Sequence, residues 1–165
     1  MTSLLNKYAQ NITSQHGEDG IIAYLINCLG NKIVKRCCEF GAANGEFASN
    51  TWNLWSNQGW EDVLIEANEQ DYPALDGIAA KNPKVIVVKS MVMPEGVNSL
   101  DAIFERNNIA PQLGILSIDI DSVDYYVWAG VKKVESQIVV IEFNQSIPPF
   151  VDYVDPPGEV FLRCS

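Results

Sequence analysis

The sequence predicts an α/β chain, a doubly wound and mostly parallel sheet of about five strands with helices on both faces. Three observations predict it. Short runs of near-continuous Val, Ile and Leu recur, as in Val85-Ile86-Val87-Val88, and such runs suit parallel strands buried on both faces. Between the runs lie stretches whose apolar residues return at helical spacing. Their alternation makes βαβ units, which close with right-handed crossovers.

The elements follow in order. Gly17 to Leu29 opens with acids and carries Ile21, Ile22, Leu25, Ile26 and Leu29 on one stripe, so it is a helix with favourable charge at its start. Gly30 stops it, and Ile33 to Phe40 is the first strand. A glycine-bearing turn, Gly41 to Gly45, leads into a helix around Thr51-Trp52-Asn53-Leu54-Trp55, which Gly59-Trp60 ends. Asp62 to Glu66 is the second strand. Asp71 to Lys81 is a helix stopped by Pro83, and Val85 to Val88 the third strand. Val97 to Asn107 places Val97, Leu100, Ile103 and Phe104 on one helical face. Leu113 to Ile120, Tyr125 to Val131 and Gln137 to Phe143 supply the fourth strand, a short helix and the fifth strand. Past Asn144 the prolines forbid a helix, and residues 145–165 read as an extended tail.

A chain of 165 residues with 47% apolar content can bury one sizeable core, so residues 1–165 are expected to form a single domain. A formal charge of -10 opposes phosphate backbones and anionic lipid, which argues against nucleic-acid and membrane-surface partners. No apolar run approaches the ~18 residues that span a bilayer, and a cytoplasmic protein is expected. Cys28, Cys37, Cys38 and Cys164 contain no CxxC pair and are expected as reduced thiols, with Cys37 and Cys38 on opposite faces of a strand.

In an open parallel sheet, ligands collect at the carboxyl ends of the strands where strand order reverses. Each expected strand ends in polar residues: Glu39, Glu66, Lys89-Ser90, Asp119 and Asp121, and Glu142 and Asn144. The Gly41-x-x-x-Gly45 turn lets backbone approach a ligand closely but lacks the GxGxxG spacing of dinucleotide binders. Glu66 follows at the end of the next strand, where a carboxylate can accept both ribose hydroxyls of a nucleoside. Asp119 and Asp121 are expected on one side of the fourth strand, Glu142 and Asn144 on one side of the fifth. Such oxygen-rich side chains bind a hard cation, hold a proton for general-base work or contact substrate, or are plain strand-end polarity. The lone His16 reads as a loop residue. Its neighbours Ser14, Gln15 and Glu18 form either a lid or, with Asp19, a helix-capping segment.

The blocks SQHGEDG, CCEFGAANGEFASNT, GWEDVLIEAN, LSIDIDSVDYYVW and VVIEFN, from about Ser14 to Asn144, resemble the FkbM-type methyltransferase-like family in order and spacing. The resemblance implies a Rossmann-like class I methyltransferase fold, S-adenosyl-L-methionine as cofactor, and methyl transfer to an oxygen of a small molecule or sugar. It implies that Glu39, Gly41, Ala42, Asn44 and Gly45 line the methionine end and that Thr51 opens the next helix. Glu66 with Ala67 would hold the ribose, Ser90 and Met91 would flank the adenine, and Asp119 would be the acid after the fourth strand. Asp121 and Asp124 fall at the following acidic positions, where Ser122 replaces the usual glycine. Asp119, Asp121, Glu142 and Asn144 would then orient the acceptor hydroxyl. Members of the class complete the sheet with two further strands, and nothing after Pro148 reads as that pair, so the fifth strand is expected to expose an edge that invites a homodimer. A catalytically silent module that keeps the cofactor cleft, or a truncated fragment of a methyltransferase, is the competing expectation, and a nicotinamide-dependent enzyme is a weaker third.

Overall fold

The computed structural model describes residues 4–120, 123–143, 147–148, 150–151 and 153–154. Five parallel strands form one sheet: β1 (Arg36–Phe40), β2 (Glu61–Glu66), β3 (Val85–Lys89), β4 (Gln112–Ile118) and β5 (Glu135–Ile141). Their order is β3-β2-β1-β4-β5, so the direction of winding reverses between β1 and β4. The expected α/β fold with a parallel sheet is therefore the fold of this chain.

Helices cover both faces. On one face α4 (Leu100–Arg106) and α5 (Asp124–Gly130) bury Leu100, Ile103, Phe104 and Val127 against Cys38, Phe40, Val63, Ile65 and Leu116. On the other lie α1 (Glu18–Leu29), α2 (Trp52–Asn57) and α3 (Tyr72–Lys81). Here Ile22 and Leu54 meet Cys37, Trp60 and Ile115, while Trp55 and Leu75 meet Leu64 and Val85. The alternation of Cys37 and Cys38 between these two layers is the period-2 alternation of a strand, and both thiols are completely buried. Each fully buried Phe, Leu or Ile side chain contributes about 1.5–3 kcal/mol, so these layers are the main source of cohesion.

Several element ends differ from expectation, each for a local reason. The first strand starts at Arg36 rather than Ile33, because a 3-10 turn at Gly30–Lys32 follows α1. Helix α4 starts at Leu100 rather than Val97: Ser99 caps it by accepting the Ala102 N–H at 3.3 Å, and Val97 stands exposed in a preceding 3-10 turn. The fourth and fifth strands end at Ile118 and Ile141, so Asp119 and Glu142 lie just past them. Asp101 of α4 accepts the N–H groups of Lys132, Lys133 and Val134 at 2.8 to 3.1 Å, fastening the α5–β5 connection to the helix layer. No helix among the described residues is long and apolar enough to cross a membrane.

Candidate functional site

The carboxyl ends of β1, β2 and β3 are bound to one another by a single residue. Glu66 closes β2, and its Oε2 accepts the Ala43 N–H from the β1 loop at 2.7 Å. Its Oε1 accepts the N–H groups of Ala67 and Asn68, both at 2.7 Å. Its backbone carbonyl accepts the Ser90 N–H beyond β3 at 2.9 Å. A carboxylate has about four acceptor directions, so three bonds leave one for a ligand hydroxyl. Ala67 and Met91 are exposed beside it, and Ser90 is half-buried with its hydroxyl on the Met91 carbonyl at 3.1 Å.

The glycines of the β1 loop have structural reasons of their own. Gly41 has φ +78°, and a Cβ there would fall 1.6 Å from the carbonyl oxygen of Asp119, so the β1 and β4 loops touch backbone to backbone where the winding reverses. The Asp119 N–H returns the contact by donating to the Phe40 carbonyl at 3.3 Å. Gly45 has φ +84°, and a Cβ would meet Ile78, Leu75 and Leu64. Neither glycine opens room for a ligand; both let the protein approach itself. Ala42 is buried among Trp55, Leu64 and Leu75.

Below this loop Glu39 is 3% exposed and projects toward the α1–α2 side. Its carboxylate accepts the hydroxyls of Ser49 (2.5 Å) and Thr51 (2.9 Å) and the Asn50 N–H (2.8 Å). Burial pushes its pKa up, opposed by the bonds from Ser49, Asn50, Thr51 and Ser117. Thr51 does precede α2, yet its hydroxyl serves Glu39, while Ser49 Oγ accepts the Trp52 N–H at 2.9 Å. Glu39 thus organises the segment before α2 from underneath.

Sequence reasoning left Asp62 unremarked. It is 1% exposed, takes the Val63 N–H at 2.7 Å through Oδ1, and its Oδ2 has no hydrogen-bond partner among the described residues. Burial, then the neighbouring Glu39 charge, raise its pKa to about 7. The pattern could have revealed it, because Asp62, Leu64 and Glu66 share one face of β2, and an acid on that face at the opposite end from the strand's carboxyl terminus is out of place in a sheet covered on both faces.

Above the loop is a hollow of about 400 Å³ lined by Thr13, Gln15, Asn44, Glu46, Phe47 and Ala48. Asn44 Oδ1 accepts the N–H groups of Glu46 and Phe47 at 3.0 and 2.8 Å. Thr13 and Gln15 come from the segment before α1, whose N-cap is Gly17 with no side-chain cap. Ser14 Oγ accepts the first-turn N–H of Asp19 at 3.0 Å, as the capping expectation has it. His16 is exposed, and its N–H bonds the Glu18 carboxylate at 2.7 Å.

The structure therefore brings Gly41, Ala42, Asn44, Gly45, Glu66, Ala67 and Ser90 to one end of the sheet, with Glu39 and Thr51 beneath. Asp119 and Glu142 are exposed at the ends of β4 and β5. Asp121 and Asn144 lie outside the described residues, so their convergence with these acids is not part of the described geometry. No group of three or more His, Cys, Asp and Glu side chains among the described residues is arranged to hold a metal ion. No protein-family model matches the chain, and no curated protein matches it.

Proposed function

We propose that this chain is an S-adenosyl-L-methionine-dependent methyltransferase of the cytoplasm acting on a small-molecule or sugar hydroxyl. One observation carries the reading: a carboxylate at the end of β2, Glu66, is bonded to the loop that follows β1, beside the point where strand order reverses. Ligands of open parallel sheets gather there, and an acid in that place suits a ribose diol.

The donor set suits the cofactor's chemistry. Glu66 keeps one acceptor direction for a ribose hydroxyl, and exchange of the Ala43 bond would release a second. The hollow offers hydroxyl, amide and carboxylate groups from Thr13, Gln15, Asn44 and Glu46, which match the carboxylate and ammonium of the amino-acid end. It presents no described lysine or arginine, so a pyrophosphate has no cationic partner in its lining. The cofactor when bound supplies an electrophilic methyl group. Asp119 and Glu142, with Asp121 and Asn144, would orient the acceptor oxygen in line with it, and such placement lowers the barrier more than acid–base power does. The apolar stretch Ile138 to Ile141 of β5 carries no proline and no charge, and on this reading it pairs with a second copy of the chain.

Calorimetry tests the reading. The wild-type chain is expected to bind S-adenosylmethionine, and Glu66→Gln, which retains one acceptor oxygen, to bind it more weakly. Indifference to S-adenosylmethionine together with binding of NADH would overturn it in favour of a nicotinamide enzyme. Binding without turnover on any acceptor would favour the silent module.

A further inference from the structure

We infer that Asp19 is a positioning residue that latches the segment before α1 over the β1 loop and so builds one wall of the hollow. This rests on the S-adenosylmethionine reading and deepens it.

Asp19 and Ser14 are each 5% exposed. A single oxygen of the Asp19 carboxylate, Oδ2, accepts three consecutive backbone N–H groups, from Ile12 (2.7 Å), Thr13 (2.9 Å) and Ser14 (2.9 Å). It also accepts the Ser14 hydroxyl at 2.7 Å, and that hydroxyl receives the Asp19 N–H in return. Successive N–H groups aimed at one point form an anion-binding concavity, and here the chain fills the concavity with its own carboxylate. No lysine or arginine among the described residues takes part, so the carboxylate is held by three backbone N–H groups and one hydroxyl.

The fastened segment is not idle. Thr13 donates its hydroxyl to the Ser49 carbonyl at 3.0 Å, and Ser49 donates its own to Glu39. Thr13 and Gln15 then face Asn44, Glu46 and Phe47 across the hollow. Nearby backbone closes the same unit: Gln10 accepts the Gly20 N–H through its carbonyl at 2.9 Å, and a Cβ on Gly20 would lie 2.1 Å from the Tyr8 carbonyl. A line of hydrogen bonds therefore runs from Asp19 through Thr13 and Ser49 to Glu39 on β1. Remove the carboxylate, and three N–H groups lose their acceptor, Thr13 loses its place, and the wall opens.

On the proposed reading the wall would face the amino-acid end of the cofactor, so its loss should be felt by ligands that carry that end. The probes are S-adenosylhomocysteine and 5′-methylthioadenosine, which share the nucleoside but differ in the amino-acid group. Asp19→Ala is expected to weaken S-adenosylhomocysteine roughly tenfold or more while 5′-methylthioadenosine stays within about twofold, a tenfold loss being the size of one charge-assisted bond. Asp19→Asn, which keeps one acceptor oxygen, is expected in between. Equal weakening of both ligands, or of neither, overturns the positioning role. A wild-type chain that binds neither ligand overturns the methyltransferase reading instead. Amide hydrogen exchange then decides the latch without a ligand: Asp19→Ala is expected to speed exchange in residues 12–15 and 44–50 and leave β3 unchanged. Faster exchange in 12–15 alone, or throughout the chain, would overturn the latch.

Discussion

Glu39 on β1 and Asp62 on β2 project from the same face of adjacent strands, and the Thr51 hydroxyl donates its hydrogen bond to Glu39. Asp62 is left with a buried oxygen that has no donor among the described residues. Two carboxylates so placed cannot both be ionised cheaply, since each is stripped of water and each repels the other.

Stability should consequently depend on pH. Asp62 has a folded pKa of about 7 against 3.8 when unperturbed, and that of Glu39 is raised as well. A raised carboxyl pKa means the folded state binds protons more tightly than the unfolded state, so the stabilisation is complete below about pH 4 and is lost as pH rises through about 7. Urea unfolding across that window should show the midpoint falling, with an unfolding free energy lower by on the order of 4 kcal/mol at about 1.4 kcal/mol per pKa unit. Asp62→Asn should flatten the curve. A midpoint that rises with pH in the wild type would contradict the assignment.

Glu66 is a structural tie as well as a candidate ribose ligand. Glu66→Ala leaves the N–H groups of Ala43, Ala67 and Asn68 without their acceptor and is expected to cost about 1–3 kcal/mol. Glu66→Gln should cost less. Thermal melting of the two variants measures both, and equal stability of Glu66→Ala and wild type would show that these bonds contribute nothing net.

Two glycines make a paired prediction. Gly41→Ala forces a Cβ onto the Asp119 carbonyl at a positive φ and is expected to destabilise by at least about 3 kcal/mol, or to prevent folding. Gly77 lies inside α3, where an added methyl group would meet nothing within 4 Å and φ is not positive, so Gly77→Ala should stabilise by about 0.5–1 kcal/mol. Chemical denaturation of both variants would check the two signs at once.

The fold was legible because apolar runs and helical stripes depend on local sequence alone, as in Val85 to Val88 or Ile21 to Leu29. Element ends were less so. Whether a helix begins at Val97 or Leu100 turns on the Ser99 cap, a single hydrogen bond that periodicity does not register. At the candidate site, Glu66 could be placed at the end of its strand, but its three backbone bonds depend on how loops far apart in sequence come together. Glu39 read as a rim acid, whereas strand alternation turns it under residues 49–51. Asp19 read as a favourable helix-start charge, and only the folded path of residues 12–14 shows that its carboxylate points backward.

The strand order has a kinetic side. Cys37 pairs with Asp62 in its own half of the sheet and with Ile115 in the other, so joining β1 to β4 closes much the longer loop. Each half can zip through nearer partners first, and the costlier seam is left for later. Because that seam runs beside the Gly41–Asp119 contact, the loops after β1 and β4 come together where the costliest pairing is made, and a nascent chain acquires the candidate site only when the two halves have met.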